Sequence, residues 1–153
     1  MRYANCFTFK NRLFALITTL ISVFSVSAQL QVGANRTQSY LPLIKNKSIG
    51  VVANATSVIF KPNATYTHLI DSLLTHEVRI RAIFTPEHGF RTDADAGEAV
   101  ASGVDAKTGI NLVSLYGENK KPSLEQLEGI EILLFDIQDV GVRFYTYIAT
   151  LQL

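Results

Sequence analysis

The run Ile130, Ile132, Leu133, Leu134 and Phe135 constrains this chain more than any other feature, because apolar residues follow one another almost without a polar break and then give way to Asp136. A strand half open to water alternates apolar with polar side chains. A nearly unbroken apolar run predicts instead a strand buried on both faces, the pattern of a parallel sheet covered by helices. In such sheets ligands bind beyond the carboxyl ends of the strands. Asp136 stands at that end, and the residues up to Tyr147 add Asp139, Arg143, Tyr145 and Tyr147. Two carboxylates, an arginine and aromatic rings directly after a buried strand make this stretch a candidate site.

The preceding residues repeat the pattern. Residues 29–47 read as polar and irregular, and Ser48 to Ala53 as a first strand ending at Asn54. Leu69, Ile70, Leu73 and Leu74 recur at helical spacing, with Thr65 or Thr67 as the expected cap and His76 near the end. Val78 to Thr85 predicts a second strand, stopped by Pro86, which has no N–H to give a sheet ladder. Glu87 to Asn111 is a long polar segment rich in glycine and acids, of the kind that is functional or disordered. Leu112 to Tyr116 predicts a third strand, Pro122 to Leu127 a short helix capped by Ser123, and Glu131 to Phe135 a fourth strand. Strands alternating with helices imply parallel pairing through right-handed crossovers, hence an α/β, Rossmann-like layered fold with a mostly parallel sheet. In that topology Asn54, Glu87 with His88, Tyr116 and Asp136 each follow a strand and converge on one edge.

The N-terminus is read differently. Arg2, Lys10 and Arg12 precede an apolar run from Leu13 to Val26 that closes on Val26, Ser27 and Ala28, the pattern of a secretory signal peptide over residues 1–28, cleaved after Ala28. The run is too short and too interrupted by threonine and serine for a spanning helix, so no stable membrane anchor is expected after cleavage. The segment carries the single cysteine, Cys6, so the mature chain relies on its core without disulfides. It also carries three of the 14 basic residues and none of the 13 acidic ones, which leaves the remainder slightly acidic. Such a balance, with no basic stripe, gives no support to a nucleic-acid partner. No glycine-rich phosphate loop is present, so a nucleotide cofactor is not supported either. The expected organisation is a signal peptide (1–28), an irregular segment (29–47) and a catalytic domain (48–153), in a periplasmic or secreted protein.

Four blocks resemble a known family, the exo-acting β-N-acetylmuramidases of peptidoglycan turnover, formerly a domain family of unknown function. They are residues 50–57 (GVVANATS), residues 84–91 (FTPEHGFR) with Ala96, Gly97 and Glu98, then Thr108 and Gly109 with residues 114–117 (SLYG), and finally residues 135–147 (FDIQDVGVRFYTY). They occur in the family's order from about residue 45 onward. The resemblance implies a Rossmann-like catalytic domain with a cleft against a second domain. It also implies removal of a terminal N-acetylmuramic acid from the non-reducing end of a peptidoglycan-derived sugar. Family members run to several hundred residues, so the chain is expected to be incomplete, truncated at Leu153 before the second domain.

The chemistry follows from residue types. Glycosidic cleavage needs a carboxylic acid to protonate the leaving oxygen and a second group that attacks or stabilises the anomeric carbon. Glu87 is the expected acid, since Phe84, Pro86 and Phe90 surround it in sequence and a desolvated carboxylic acid keeps its proton toward neutral pH. Asp136 or Asp139 is the expected partner. Arg143 suits either the lactyl carboxylate of the sugar or one of these acids. Asn54, His88, Glu98, Tyr116, Tyr145 and Tyr147 complete the candidate substrate contacts, with no metal assigned. Two other readings stay open at this point. His88, Asp93, Asp95 and Glu98 are oxygen and nitrogen donors for a metal-dependent hydrolase, although three histidines in the whole chain are few for zinc. The aromatics and Arg143 also suit a non-catalytic cell-wall glycan-binding protein.

Overall fold

The computed structural model describes residues 11, 12, 14, 30–87, 89–91, 102–142 and 146–152. The chain divides into two compact units, residues 1–30 and 31–153. In the first, the described residues Asn11, Arg12 and Phe14 are helical. No helix among the described residues is long and apolar enough to cross a membrane.

The second unit is built on a five-stranded sheet. After a 3-10 turn at Gly33–Asn35 come helix α1 (Thr37–Ile44), β1 (Ser48–Ala53), the strands β2 (Val58–Phe60) and β3 (Tyr66–His68), α2 (Leu69–Thr75) and β4 (Arg79–Thr85). Then follow β5 (Gly103–Val104), β6 (Asn111–Ser114), α3 (Leu124–Leu127), β7 (Ile132–Asp136) and α4 (Tyr147–Gln152). The sheet order is β5-β6-β4-β1-β7, parallel except for β5, which pairs antiparallel with β6. β2 and β3 form a separate antiparallel pair. The expected Rossmann-like α/β fold is therefore present, with its four principal strands where the apolar runs predicted them.

Side chains alternate across β1. Ile49, Val51 and Ala53 face a core shared with Ile44 of α1, Leu69, Ile70 and Leu73 of α2, and Ile83 of β4. Val52 faces the opposite core, with Phe84, Val113 and Leu115, against which Leu127 of α3 and Phe135 pack. Helices thus cover both faces, and all six residues of β1 are buried. Register is pinned at the amino edge by Glu131, whose carboxylate accepts from Ser48 N at 2.8 Å and pairs with Lys47 Nζ at 2.8 Å.

Three expectations are corrected. Residues 30–47 are not irregular: α1 forms despite Pro42 because Ile44 is buried and Tyr40 and Leu41 pack against the same core, so burial outweighs the hydrogen bond that proline removes. Neither Thr65 nor Thr67 caps α2. That role falls to His68, whose Nδ1 accepts from Ile70 N at 3.2 Å, because the threonines are drawn toward the β2–β3 pair. β7 is not buried on both faces: it pairs only with β1 among the described residues, and Leu133 stays 46% exposed. The long segment after Glu87 carries the short strand β5, and residues 92–101 within it lie outside the described residues.

Leu133 instead covers Gly50. A Cβ built at Gly50 meets Leu133 Cδ1 and Phe84 Cε2 at 2.9 Å each and Ile130 Cδ1 at 3.0 Å, so the strand joining both cores needs the missing side chain there. Gly50→Ala is expected to cost about 1–3 kcal/mol by overpacking. A denaturant midpoint equal to that of the parent protein would show that Leu133 yields instead.

Candidate active site

β4 delivers Glu87. Pro86 ends the ladder, and Gly89 N donates to Pro86 O at 3.3 Å, closing a tight turn with Glu87 near its tip. Gly89 has φ +74°, a left-handed conformation that glycine adopts without strain. Beside it β6 delivers Tyr116. Leu115 N donates to Thr85 O at 2.7 Å, continuing the pairing past the strand end. The Tyr116 pKa is raised, first by hydrogen-bonding attraction to the nearby Glu87 carboxylate, then by desolvation, then by the acid's charge. Glu87, Leu115, Tyr116, Lys120, Thr146 and Thr150 line a cavity of about 610 Å³. That size falls within the range of small-ligand pockets.

The sheet order marks a second location. The chain steps outward from β1 to β4 and β6, then returns to β7 on the other side of β1, so the topological switch point lies between β1 and β7. Asn54 follows β1 there, and Asp136 ends β7. Asn54 N donates to Ser57 Oγ at 3.1 Å, and Ser57 Oγ donates to the Asp136 carbonyl, tying the two strand ends together. Asn54 Oδ1 accepts from Thr56 N at 3.0 Å and Thr56 Oγ1 at 2.8 Å, while its Nδ2 makes no hydrogen bond among the described residues. Burial pushes the Asp136 carboxyl pKa above the usual carboxylate range, and its side chain makes no hydrogen bond among the described residues.

A third cluster braces both. His68 Nε2 bonds the Asn54 carbonyl at 2.9 Å while Nδ1 caps α2, so the ring is the neutral tautomer with its proton on Nε2. Its edge meets Phe90, ring centroids 4.8 Å apart at 80°, and the Arg91 guanidinium lies 4.6 Å from the Phe90 centroid. Arg91 reaches Asp105 through Nε at 2.9 Å and Nη2 at 3.1 Å, and Asp71 of α2 through Nη2 at 3.0 Å. Lys107 adds a contact to Asp71 at 2.6 Å. Against the cost of burial, Arg91 lowers the pKa of both aspartates, helped by Lys107 at Asp71 and by Thr108 at Asp105.

Asn54, Glu87, Tyr116 and Asp136 therefore sit at the carboxyl ends of four adjacent parallel strands, with Glu87 and Tyr116 lining one cavity. Asp136 is not among the residues lining their cavity. Asp139 is exposed and accepts from Gly141 N at 2.8 Å, a local turn contact. Tyr147 opens α4. His88, Glu98, Arg143 and Tyr145 lie outside the described residues, as do Asp93 and Asp95. Among the described residues no group of three or more His, Cys, Asp or Glu side chains is placed to hold a metal ion. Sequence reasoning missed Lys120, which no local pattern distinguishes from a solvated lysine. It also missed the Arg91 cluster, although Arg91 lies in the same block as Glu87.

A family profile described as the N-terminal part of the exo-beta-N-acetylmuramidase NamZ matches residues 49–153. The chain is 46% identical over 113 residues to the peptidoglycan beta-N-acetylmuramidase NamZ of Bacillus subtilis (strain 168), covering 73% of this chain and 26% of that protein. Two crystal structures of DUF1343 family proteins from Bacteroides fragilis are similar. One has TM-score 0.60 and 40% identity over 78% of this chain. The other has TM-score 0.61 and 34% identity over 76% of it. The chain spans 28% of each of these proteins.

His68 sets a pH dependence. Its pKa is lowered, chiefly by burial, so the folded state holds the neutral ring while the unfolded ring takes a proton below about 6.5. The contribution to stability is full above that value and is lost as pH falls through the depressed folded pKa. His68→Asn keeps a capping oxygen without a titrating ring. Its melting temperature is expected to fall less between pH 7 and pH 5 than that of the parent protein; parallel curves would show that His68 is not the titrating group.

Proposed function

From the premise that this chain belongs to the NamZ N-terminal family of exo-β-N-acetylmuramidases, we propose that it supplies the acid side of a glycosidase site acting on peptidoglycan fragments. The observation that carries the reading is that Glu87 and Tyr116 line one sugar-sized cavity, with the carboxylate close enough to raise the phenol's pKa. A glycosidase acid must present its oxygen to a leaving group, and a phenol beside it holds the carboxyl in one orientation without adding charge. Glu87 protonates the glycosidic oxygen. Asp136, or Asp139 further along the same segment, provides the second carboxyl.

The sugar released is a terminal N-acetylmuramic acid from the non-reducing end. Its lactyl group is an anion, and Lys120 is the cation lining the cavity among the described residues. Arg143 remains a second candidate for that anion. Asn54 offers its unbonded Nδ2 at the switch point, where a sugar hydroxyl or acetamido oxygen needs a donor. The basic, apolar and small-residue succession at residues 1–28 supports export, and a wall substrate requires a periplasmic or external location.

In the full-length protein, Glu87→Gln is expected to lower kcat on a chromogenic N-acetylmuramic acid glycoside by about 10²- to 10⁴-fold, with the fold retained. Binding without turnover in the parent protein would favour the glycan-binding reading, and turnover of the N-acetylglucosamine analogue alone would overturn the substrate. Lys120→Gln is expected to raise KM for the muramic substrate about tenfold, the loss of one ion pair to a partly solvated anion. An equal change for an analogue lacking the lactyl carboxylate would remove Lys120 from that role.

A further inference from the structure

We propose that Arg91 is a positioning residue for Glu87, an assignment that rests on Glu87 being the acid. Among the described residues, the turn that carries Glu87 is closed by one backbone hydrogen bond, from Gly89 N to Pro86 O. Such a turn can rotate as a body unless the residues after it are fixed. Phe90 and Arg91 come next, and side-chain contacts hold both of them.

Phe90 is buried between the His68 ring and the Arg91 guanidinium. Arg91 is clamped from two sides. Asp105 grips it in the two-pronged geometry that fixes a guanidinium in plane as well as in place, and Asp71 takes a further edge. Both acids are anchored in turn. Asp105 accepts from Thr108 N at 3.2 Å and Thr108 Oγ1 at 2.6 Å, and Asp71 belongs to α2, whose first turn His68 caps. The cluster therefore fixes the segment carrying Glu87 to α2 and to the loop between β5 and β6.

Stability alone does not call for this arrangement. A partly buried arginine between two carboxylates carries a desolvation cost that packed apolar side chains avoid. What ions supply and apolar groups do not is direction, since a guanidinium fork accepts its partners in one plane. Direction matters where an acid must meet a leaving oxygen within hydrogen-bond reach.

The test uses the full-length protein and a chromogenic N-acetylmuramic acid glycoside, assayed well below the melting temperature on protein shown to be folded by circular dichroism. Arg91→Ala is expected to lower kcat by about 100-fold, the cost of a small misplacement of a catalytic group, with KM within about twofold. Arg91→Lys restores part of kcat, and Asp105→Asn lowers kcat in the same sense. Folded Arg91→Ala with the parent kcat, or a loss confined to KM, would overturn the proposal. If Arg91→Ala does not fold, the kcat of Arg91→Lys and Asp105→Asn decides in the same way. Glu87→Gln run alongside separates the two readings: full activity there removes the acid assignment and the positioning role with it, whereas an inactive Glu87→Gln beside a fully active folded Arg91→Ala removes the positioning role alone.

Discussion

Parallel pairing on both sides of β1 is the constraint from which the arrangement of the site follows. A parallel strand cannot return through a hairpin, so each neighbour of β1 is reached by a crossover and each begins again at the same edge. β4, β6 and β7 consequently end where β1 ends, and the residues that leave those ends come to the same edge of the sheet. Gly50 makes this pairing compatible with close packing. By omitting a side chain it lets Phe84 from β4 and Leu133 from β7 approach the same point of the central strand.

The acids at and near that edge stand in three different environments. Asp71 and Asp105 face cations and stay ionised, so they serve as fixed negative anchors. Asp136 is desolvated without a hydrogen-bonding partner among the described residues, which favours its protonated form. Glu87 lines an open cavity beside the Tyr116 phenol, the setting of its proposed role. Two of these environments suit chemistry and one suits architecture. The architectural one is built directly onto the segment that carries Glu87.

The sheet was legible because its strands are short apolar runs bounded by Pro86, Asn54 and Asp136, and because the alternation with helices leaves few topologies. Ser123 was legible as a cap by its own chemistry, and the capping box with Gln126 realises it. The β2–β3 pair was not, since Val58–Phe60 and Tyr66–His68 are too short to show a period of two. α1 was obscured by Pro42, and the exposed side of β7 by an apolar run whose one open face depends on what lies next to it in space. At the site, the strand-end positions of Glu87, Tyr116 and Asp136 followed from the pattern. The pairing of Tyr116 with Glu87, the place of Lys120 in the cavity and the clamp on Arg91 depend on side chains from distant segments, and no local signal carries them.

Strand spacing then bears on how two carboxyls divide the work. β4 and β7 flank β1, so the strands that deliver Glu87 and Asp136 lie about 10 Å apart, twice the spacing of neighbours in a sheet. Glycosidases that form a covalent intermediate hold their carboxyls about 5–5.5 Å apart, while those that activate a water keep them roughly 6.5–9.5 Å apart. Side chains of two carbons and one carbon must lean toward each other to close the first distance and need only stand upright for the second. The clamp on Arg91 opposes such leaning at Glu87, and the Ser57 bridge to the Asp136 carbonyl opposes it at the other end. In the proposed pairing of Glu87 with Asp136, the strand spacing suits the wider of these two separations.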